Sequence, residues 1–359
     1  MQLSILIATN RRGLLVCSRI AQACSWAGPN LEVLIRDNSG DTEKRALLPQ
    51  FQRDNCTIIL AEPCDALTNF NELLRLAKGD FVFLLADDDY CFDHAIAVLP
   101  GVLDQIGNDP SVAGVTGLYV VETSQASAIV AYQNVESDDA SVRVTNYLSS
   151  QGPNILHYAP VRREVIQRVF GFVNTMPAVF SFHDQIVCLL FLLNGKFVRL
   201  ERLLYVYDIG PWQALEPAQK KDVSLYKEAG LDPAINMLHW FICAFEGAVL
   251  IRNSNIFPDH SLEMRQTIAD RWFSAMFLRF TGNPRLTFDS HFASEGAILS
   301  TKLLASAGRI SFQSMLTEIS GFMALFSKDF AQRYFEFWDS QINSDRERLP
   351  RHAVQAAEG

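Results

Sequence analysis

This sequence predicts an α/β protein with a mostly parallel sheet flanked by helices, followed by a mainly helical C-terminal region. Three observations carry that expectation. An unbroken apolar run at residues 81–86 is joined by predominantly apolar runs at 3–8, 31–35 and 56–60, and runs of this kind bounded by polar residues read as strands, the unbroken one as a strand buried on both faces. Segments of helical spacing alternate with them, which is the pattern of βαβ units. Beyond about residue 217 the runs give way to helical stretches at 234–251, 261–280 and 315–338.

Composition narrows the function classes. A chain of 359 residues can bury a sizeable core in one large domain or two. Apolar residues make up 49% and charged ones 20%, ordinary for a globular protein. The formal charge of −9 argues against nucleic acid as a partner, because phosphate binding needs clustered Lys and Arg. The apolar N-terminus lacks a basic flank and is interrupted at Thr9-Asn10-Arg11-Arg12, so a first strand is expected there, not a signal peptide or a transmembrane segment. The 7 cysteines show no Cys-x-x-Cys pair. That argues against a zinc site or disulfide framework and fits a reducing cytoplasm.

Taken in order, the first strand leads through a loop into a helix begun by Leu14, Leu15, Ser18, Ile20 and Ala21. The strand at 31–35 ends in Arg36-Asp37-Asn38-Ser39-Gly40-Asp41, a loop of turn formers. Leu67, Phe70, Leu73, Leu74 and Ala77 share one face of a helix that runs into the strand at 81–86. Then come a helix at 93–106, a partly polar strand at 113–121, an exposed acidic and Ser-rich loop at 134–146, a break at 149–154 and a helix at 161–170. A helix at 185–193, stopped by Asn194-Gly195, precedes strands at 197–200 and 203–207. A soft boundary near 210–217 divides a domain of residues 1–212 from a helical region of residues 213–359, with 341–359 polar enough to fray. The stretch 237–251 is apolar nearly all round. It reads first as a buried helix, second as an oligomer interface and third as a peripheral membrane contact.

Chemistry gathers at the carboxyl end of the run at 81–86, where Asp87, Asp88 and Asp89 stand in succession. Two carboxylates about 4 Å apart repel by about 1 kcal/mol in water and about 4 kcal/mol at an effective dielectric of about 20. A hard divalent cation such as Mg²⁺ or Mn²⁺ would answer that repulsion and bridge to a substrate's phosphates, whereas the plain alternative is a solvated acidic turn. Open α/β sheets bind ligands outside the carboxyl ends of their strands, so Thr9, Asp37 and Asp87 to Asp89 are expected to converge.

In order and spacing, Leu3-Ser4-Ile5-Leu6-Ile7-Ala8-Thr9-Asn10-Arg11, Ile35-Arg36-Asp37-Asn38-Ser39-Gly40-Asp41, residues 71–80 and Leu84-Leu85-Ala86-Asp87-Asp88-Asp89 resemble the successive signatures of family 2 glycosyltransferases. These have the GT-A fold, a Rossmann-like sheet flanked by helices. The resemblance spans residues 3–95 and continues more weakly to about 208. It implies an inverting, metal-assisted transferase using a nucleoside-diphosphate sugar, most often UDP-linked, with a divalent metal, Mn²⁺ or Mg²⁺. Residues 1–110 would be the nucleotide-sugar half and 111–212 the acceptor half. The acceptor implied is a glycan or glycolipid in bacterial surface polysaccharide or glycoconjugate synthesis.

By the same resemblance Thr9, Asn10 and Arg11 line the nucleotide pocket, and Asp37 hydrogen-bonds the nucleobase. Asp87, Asp88 and Asp89 supply the acidic Asp-x-Asp motif. Asp89 is taken as the principal metal ligand, with Asp87 also facing the ion or nearer the sugar or ribose, and Asp88 assigned to the donor. Ala86 stands where members often carry another Asp, which leaves open which carboxylate meets the ribose and which the ion. For Asp37 an Asx-turn is the other reading. Ser181-Phe182-His183-Asp184-Gln185, followed by Gly195-Lys196-Phe197-Val198, resembles the acceptor signature. There Asp184 would be the general base; a helix N-cap, worth about 1 kcal/mol, is the alternative. His183 replaces the usual Glu and would tune Asp184, touch the acceptor or be incidental.

His157, a lone histidine among apolar residues, is read as structural, and Trp212 as a core aromatic before a sugar platform. Two rivals stand against the transferase. A sugar nucleotidyltransferase would need a Gly-rich basic phosphate loop after the first strand, which Thr9-Asn10-Arg11-Arg12-Gly13 does not supply. A degenerate nucleotide-sugar or glycan-binding domain is suggested by Ala86 and His183 in place of acids.

Overall fold

The structure, a computed structural model, describes residues 2–344 apart from 124, 132–134, 150–153, 209–213, 254–255, 258–259, 283–284 and 307–309. Contacts divide it into two compact units. The first comprises Met1–Asn174 and Val187–Gly210, the second Thr175–Ile186 and Pro211–Gly359.

The first unit runs β1 (Leu3–Thr9), α1 (Leu15–Ser25), β2 (Leu31–Asp37), α2 (Thr42–Leu47), β3 (Cys56–Leu60), α3 (Ala66–Leu76), β4 (Phe81–Leu84) and β5 (Tyr90–Cys91). It continues with α4 (Asp93–Ile106), β6 (Val112–Glu122), β7 (Ser127–Val130), α5 (Ala140–Ser149), β8 (Pro160–Arg162) and α6 (Arg163–Val173). Helix α7 (His183–Asn194) follows, its residues 183–186 in the second unit and the rest in the first, and then β9 (Lys196–Asp208). The strands lie in the order β3-β2-β1-β4-β8-β6-β9-β5, with β7 on β6. The run β3-β2-β1-β4 is parallel throughout. Its apolar side chains are buried from Leu3 to Ile7, Val33 to Ile35 and Phe81 to Leu84, as continuous apolar strands between helical layers require. Two polar intruders are satisfied internally: Ser4 Oγ donates to Glu32 Oε1 at 2.5 Å and accepts from the Gly79 N–H at 2.7 Å. Gly79 is needed there, since a Cβ would sit 2.5 Å from the Ser4 nitrogen.

Several expectations give way. The sheet is mixed beyond β4, because β8 pairs antiparallel with both β4 and β6. Its last two residues lie inside the segment read as the helix 161–170, which begins instead at Arg163. The stretch read as an exposed loop at 134–146 contains the start of α5. What orders it is buried Arg143, whose guanidinium donates to the carbonyls of Leu192, Ser137 and Asp138 at 2.8, 2.6 and 3.0 Å. The two strands expected at 197–200 and 203–207 are one, β9, whose register against β6 shifts between Thr116 and Leu118. Asp37 closes β2 instead of opening the following loop. Gly195 ends α7 without a left-handed backbone; it is required because a Cβ would lie 2.7 Å from the Ser111 carbonyl oxygen.

The second unit contains α8 (Leu215–Glu228), a 3₁₀ turn (Pro233–Leu238), α9 (His239–Arg252), α10 (Leu262–Gly282), α11 (Ala293–Ala305), α12 (Phe312–Met323) and α13 (Lys328–Asn343). The expected helix at 315–338 is thus two, α12 and α13, the second capped by the Ser327 hydroxyl accepting from the Phe330 N–H. The stretch Pro233–Arg252 is long and apolar enough to cross a membrane, but 89% of it is buried inside the protein. It is the core helix of its unit, as the first reading had it.

Candidate active site

Thr9 and Asp37 are register partners across the parallel β1–β2 ladder. Leu6 pairs with Leu84 on the other side of β1, so Thr9 and Asp87 both lie three residues past a paired position. Strand register alone therefore brings these side chains to one rim of the sheet. There Thr9 Oγ1 donates to Asp87 Oδ2 at 2.5 Å and Arg11 Nε donates to Asp87 Oδ1 at 2.8 Å. Arg11 Nη2 also reaches Asp88 Oδ2 at 2.5 Å. Burial pushes the Asp87 carboxyl up, while the Thr9 hydrogen bond and the Arg11 charge pull the other way. The convergence expected of Thr9, Asp37 and the acidic turn is thus seen, with Arg11 bridging Asp87 and Asp88. Asn10 stays exposed at the same rim.

The third partner of Thr9 came as no sequence expectation. Lys44 on α2 is wholly buried, and its ammonium lies 2.7 Å from Thr9 Oγ1, 2.9 Å from the Arg11 carbonyl oxygen and 2.7 Å from Asp37 Oδ1. An ammonium has three protons and no lone pair, so it donates in both hydrogen bonds, and its charge faces Asp37 as an ion pair. They also fix direction: Thr9 accepts from Lys44 and must give its own proton to Asp87. Asp37 is likewise 0% exposed, its Oδ1 ion-paired with Lys44 and its Oδ2 accepting from Ser39 at 3.1 Å. A nucleobase contact needs a carboxylate oxygen at the surface, and in this arrangement Asp37 offers none. Its role here is to neutralise the lysine that orients Thr9.

Asp89 is half-buried and accepts a hydrogen bond from the Tyr205 hydroxyl. Tyr205 is itself held by Tyr158, the rings stacked with centroids 5.4 Å apart. Among the described residues no group of three or more His, Cys, Asp or Glu side chains is disposed to hold a metal ion. The donor chemistry nonetheless fits a hard cation that takes most of its ligands from phosphate and water, since such a site needs only one or two carboxylates. Asp89 suits that part. Asp87, expected to share the ion, has both oxygens engaged by Thr9 and Arg11, so the assignment of Asp87 as a metal ligand is not supported by this geometry.

Asp184 belongs to the second unit. It lies in the first turn of α7, half-buried, with Oδ1 accepting from the Gln185 N–H at 2.7 Å. The helix begins one residue earlier, at His183, so Asp184 is not the N-cap; a carboxylate in the first turn still complements the helix dipole. His183 is buried, and both of its nitrogens are engaged. Nδ1 accepts from the Phe180 N–H at 2.5 Å, which places the proton on Nε2, donated to Glu246 Oε2 at 3.0 Å. His183 is therefore not available to an acceptor. His157 is half-buried, its Nδ1 shielded from solvent and without a hydrogen bond, and this desolvation pulls its pKa down to about 4. Trp212 lies outside the described residues.

Lys44 and Tyr205 left no legible signal. Lys44 stands in Thr42-Glu43-Lys44-Arg45 and reads as a solvated helical face, and Tyr205 reads as one member of an alternating strand.

The sheet, its flanking helices and the helical C-terminal region together form a glycosyltransferase fold, the GT-A-like architecture expected from the sequence. The particular likeness is to TarS from S. aureus. Its 1–349 portion matches at TM-score 0.54 and 14% identity over 98% of this chain and 93% of that one. The same portion in complex with UDP-GlcNAc matches at TM-score 0.53 and 13% identity, with the same coverage. A longer TarS structure matches at TM-score 0.53, this chain covering 55% of it. No family model matches the sequence, and no curated protein does.

Proposed function

We propose that this chain is an inverting glycosyltransferase that moves a sugar from a nucleoside-diphosphate sugar, UDP-linked, to a hydroxyl of a glycan or glycolipid acceptor. The observation that carries the reading is the Lys44–Thr9–Asp87–Arg11 network at the carboxyl ends of β1 and β4, where sheets of this kind take nucleotides. The likeness of the fold to TarS, which has been solved with UDP-GlcNAc bound, supports the same donor class.

In this reading Thr9, Asn10 and Arg11 line the donor, and Arg11, half exposed, turns toward its phosphates. Asp89 would hold Mn²⁺ or Mg²⁺, whose charge would stabilise the departing diphosphate. Asp184 takes the proton of the acceptor hydroxyl as its oxygen bonds to the anomeric carbon and the carbon–oxygen bond to the diphosphate breaks. We place the protein in the cytoplasm, in bacterial surface polysaccharide or glycoconjugate synthesis, with residues 1–110 serving the donor and 111–212 the acceptor.

The test is a thermal-shift screen of nucleotide sugars with and without Mn²⁺, followed by release of nucleoside diphosphate in the presence of glycan acceptors. A donor at about 100 times its dissociation constant adds about 2.7 kcal/mol. No shift with any nucleotide sugar would overturn the proposal. A shift without diphosphate release would favour the rival, donor binding without turnover, which the engagement of His183 in place of an acid makes concrete. Full transfer in excess EDTA would remove the metal from the mechanism.

A further inference from the structure

Asp184 is flanked in sequence by two residues whose side chains are each held from a different helix of the second unit. On one side His183 donates from Nε2 to Glu246 Oε2 at 3.0 Å, Glu246 being carried by α9. Glu246 is 1% exposed and takes a second hydrogen bond at Oε1 from the Tyr334 hydroxyl of α13, at 2.9 Å. On the other side Gln185 Oε1 accepts from Arg279 Nη1 of α10 at 3.0 Å. The Phe180 N–H, bonded to His183 Nδ1 at 2.5 Å, ties the preceding turn to the same ring.

Glu246 is out of place by composition. Every residue from His239 to Ile251 on its helix is buried, and the other side chains on the stretch, His239 excepted, carry no charge or ionisable acid beyond the Cys243 thiol. Burying a carboxylate among such neighbours is costly unless it is hydrogen-bonded, and replacing a buried polar network by apolar side chains is often neutral or stabilising. Stability by itself therefore gives little reason for Glu246. Its acceptors face two donors, one of which fixes the tautomer and the plane of His183.

We propose that Glu246 and Arg279 are positioning residues for Asp184, acting through His183 and Gln185, so that one task of the helical C-terminal region is to aim the general base. This rests on Asp184 being the base. A carboxylate must meet the acceptor hydroxyl within hydrogen-bond reach, and a misplacement of about 1 Å costs on the order of 10²-fold in rate. Residues that hold donor side chains of the first unit are untouched by these contacts, so donor affinity should be independent of them.

The experiment compares Glu246→Leu, Glu246→Gln and Arg279→Met with Asp184→Asn, measuring kcat, donor KM and melting temperature for each. Glu246→Leu leaves the His183 N–H and the Tyr334 O–H without their acceptor and is expected to lower the melting temperature by a few degrees, but to keep its donor KM while kcat falls by about 10- to 100-fold. Glu246→Gln, which can still accept from His183 and meet Tyr334, should recover kcat to within about threefold of the native enzyme. Arg279→Met, on the opposite flank, should lower kcat in the same selective way. A folded Glu246→Leu with native kcat would overturn the proposal. So would losses of kcat that follow the melting temperature across the set. Should Glu246→Leu fail to fold, Arg279→Met decides, and native kcat there overturns it. If Asp184→Asn transfers normally, the base assignment itself has failed; if Asp184→Asn is inactive while the other variants are active, only the positioning role has.

Discussion

Two regions of this molecule hold buried carboxylates in opposite ways. At the rim of the sheet Asp37 faces the ammonium of Lys44 and Asp87 the guanidinium of Arg11. At the start of α7, Glu246 faces a neutral imidazole N–H and a phenol O–H. In the first arrangement the ion pairs hold Thr9 and Arg11 in place at the rim of the sheet, so those two side chains need little reorganisation. The second suits the holding of a base, since two neutral donors on Glu246 and the Phe180 N–H on Nδ1 fix the plane of His183 beside Asp184. The difference also forecasts fragility. Removing one partner of a buried ion pair leaves an uncompensated charge and costs about 3–5 kcal/mol, whereas a hydrogen bond from a neutral donor to a carboxylate contributes about 1.5–3 kcal/mol.

The largest expected effect tests what the second region is for. Asp184→Asn keeps size and the bond to the Gln185 N–H, so fold and donor affinity should survive while transfer falls by about 10²- to 10⁴-fold. If Asp184 serves only the helix dipole, the change costs about 0.3–1 kcal/mol of stability and transfer stays near normal. A transfer assay beside a melting curve separates the two, and near-normal transfer would erase the functional half of the contrast.

The next effect tests the ionic character of the first region. Lys44→Met leaves Asp37, 0% exposed, with Arg45 Nε 4.0 Å from its Oδ2 in place of the closer ammonium, and a loss of about 3 kcal/mol is expected in thermal denaturation. Adding Asp37→Leu removes the stranded charge, so the double variant should regain most of that loss. It should not regain donor affinity, because Thr9 has still lost the ammonium that sets its proton. Equal instability in single and double variants would show that Lys44 works by packing alone.

The smallest effect compares the buried His183 with the half-buried His157. His183 has a partner at each nitrogen, whereas His157, packed on Tyr158 and Phe170, has no hydrogen bond to Nδ1, and burial takes its pKa down to about 4. The unfolded chain binds a proton at about 6.5 that the folded His157 refuses until about 4, so the stability it contributes is present above that window and is lost as pH falls through it. By about pH 5.5 the loss should be about 1 kcal/mol. His157→Phe should lose less stability than the native protein between about pH 7 and 5.5, as read by chemical denaturation. Identical pH profiles would show that His157 is protonated without penalty.

How far the site was legible depends on where each residue's partners lie. The acidic turn was readable because strand and turn are contiguous, and Thr9 was readable because a parallel sheet puts strand ends together. Lys44 was not, because its burial comes from how α2 lies over β1 and β2, and nothing in Thr42-Glu43-Lys44-Arg45 distinguishes it from a solvated face. Asp37 was placed at the right rim with the wrong neighbour for the same reason. Helix α5 was hidden because Arg143, which orders it, bonds to the Leu192 carbonyl 49 residues away.

The sequence by itself determined the βαβ order, strands read at 3–8, 31–35, 56–60 and 81–86 that the structure places within two residues of those bounds, the helical C-terminal region and the site of the carboxylates. Those rest on apolar periodicity and local turn chemistry, which act over a few residues. Only the tertiary structure decided which carboxylates are spent internally, which way the proton of Thr9 points, which tautomer His183 adopts and that Glu246 stands behind it. Apart from the Phe180 N–H that meets His183 Nδ1 three residues away, these depend on hydrogen bonds or ion pairs between groups tens of residues apart, and such pairing is set by how the helices come to rest, which no local pattern encodes.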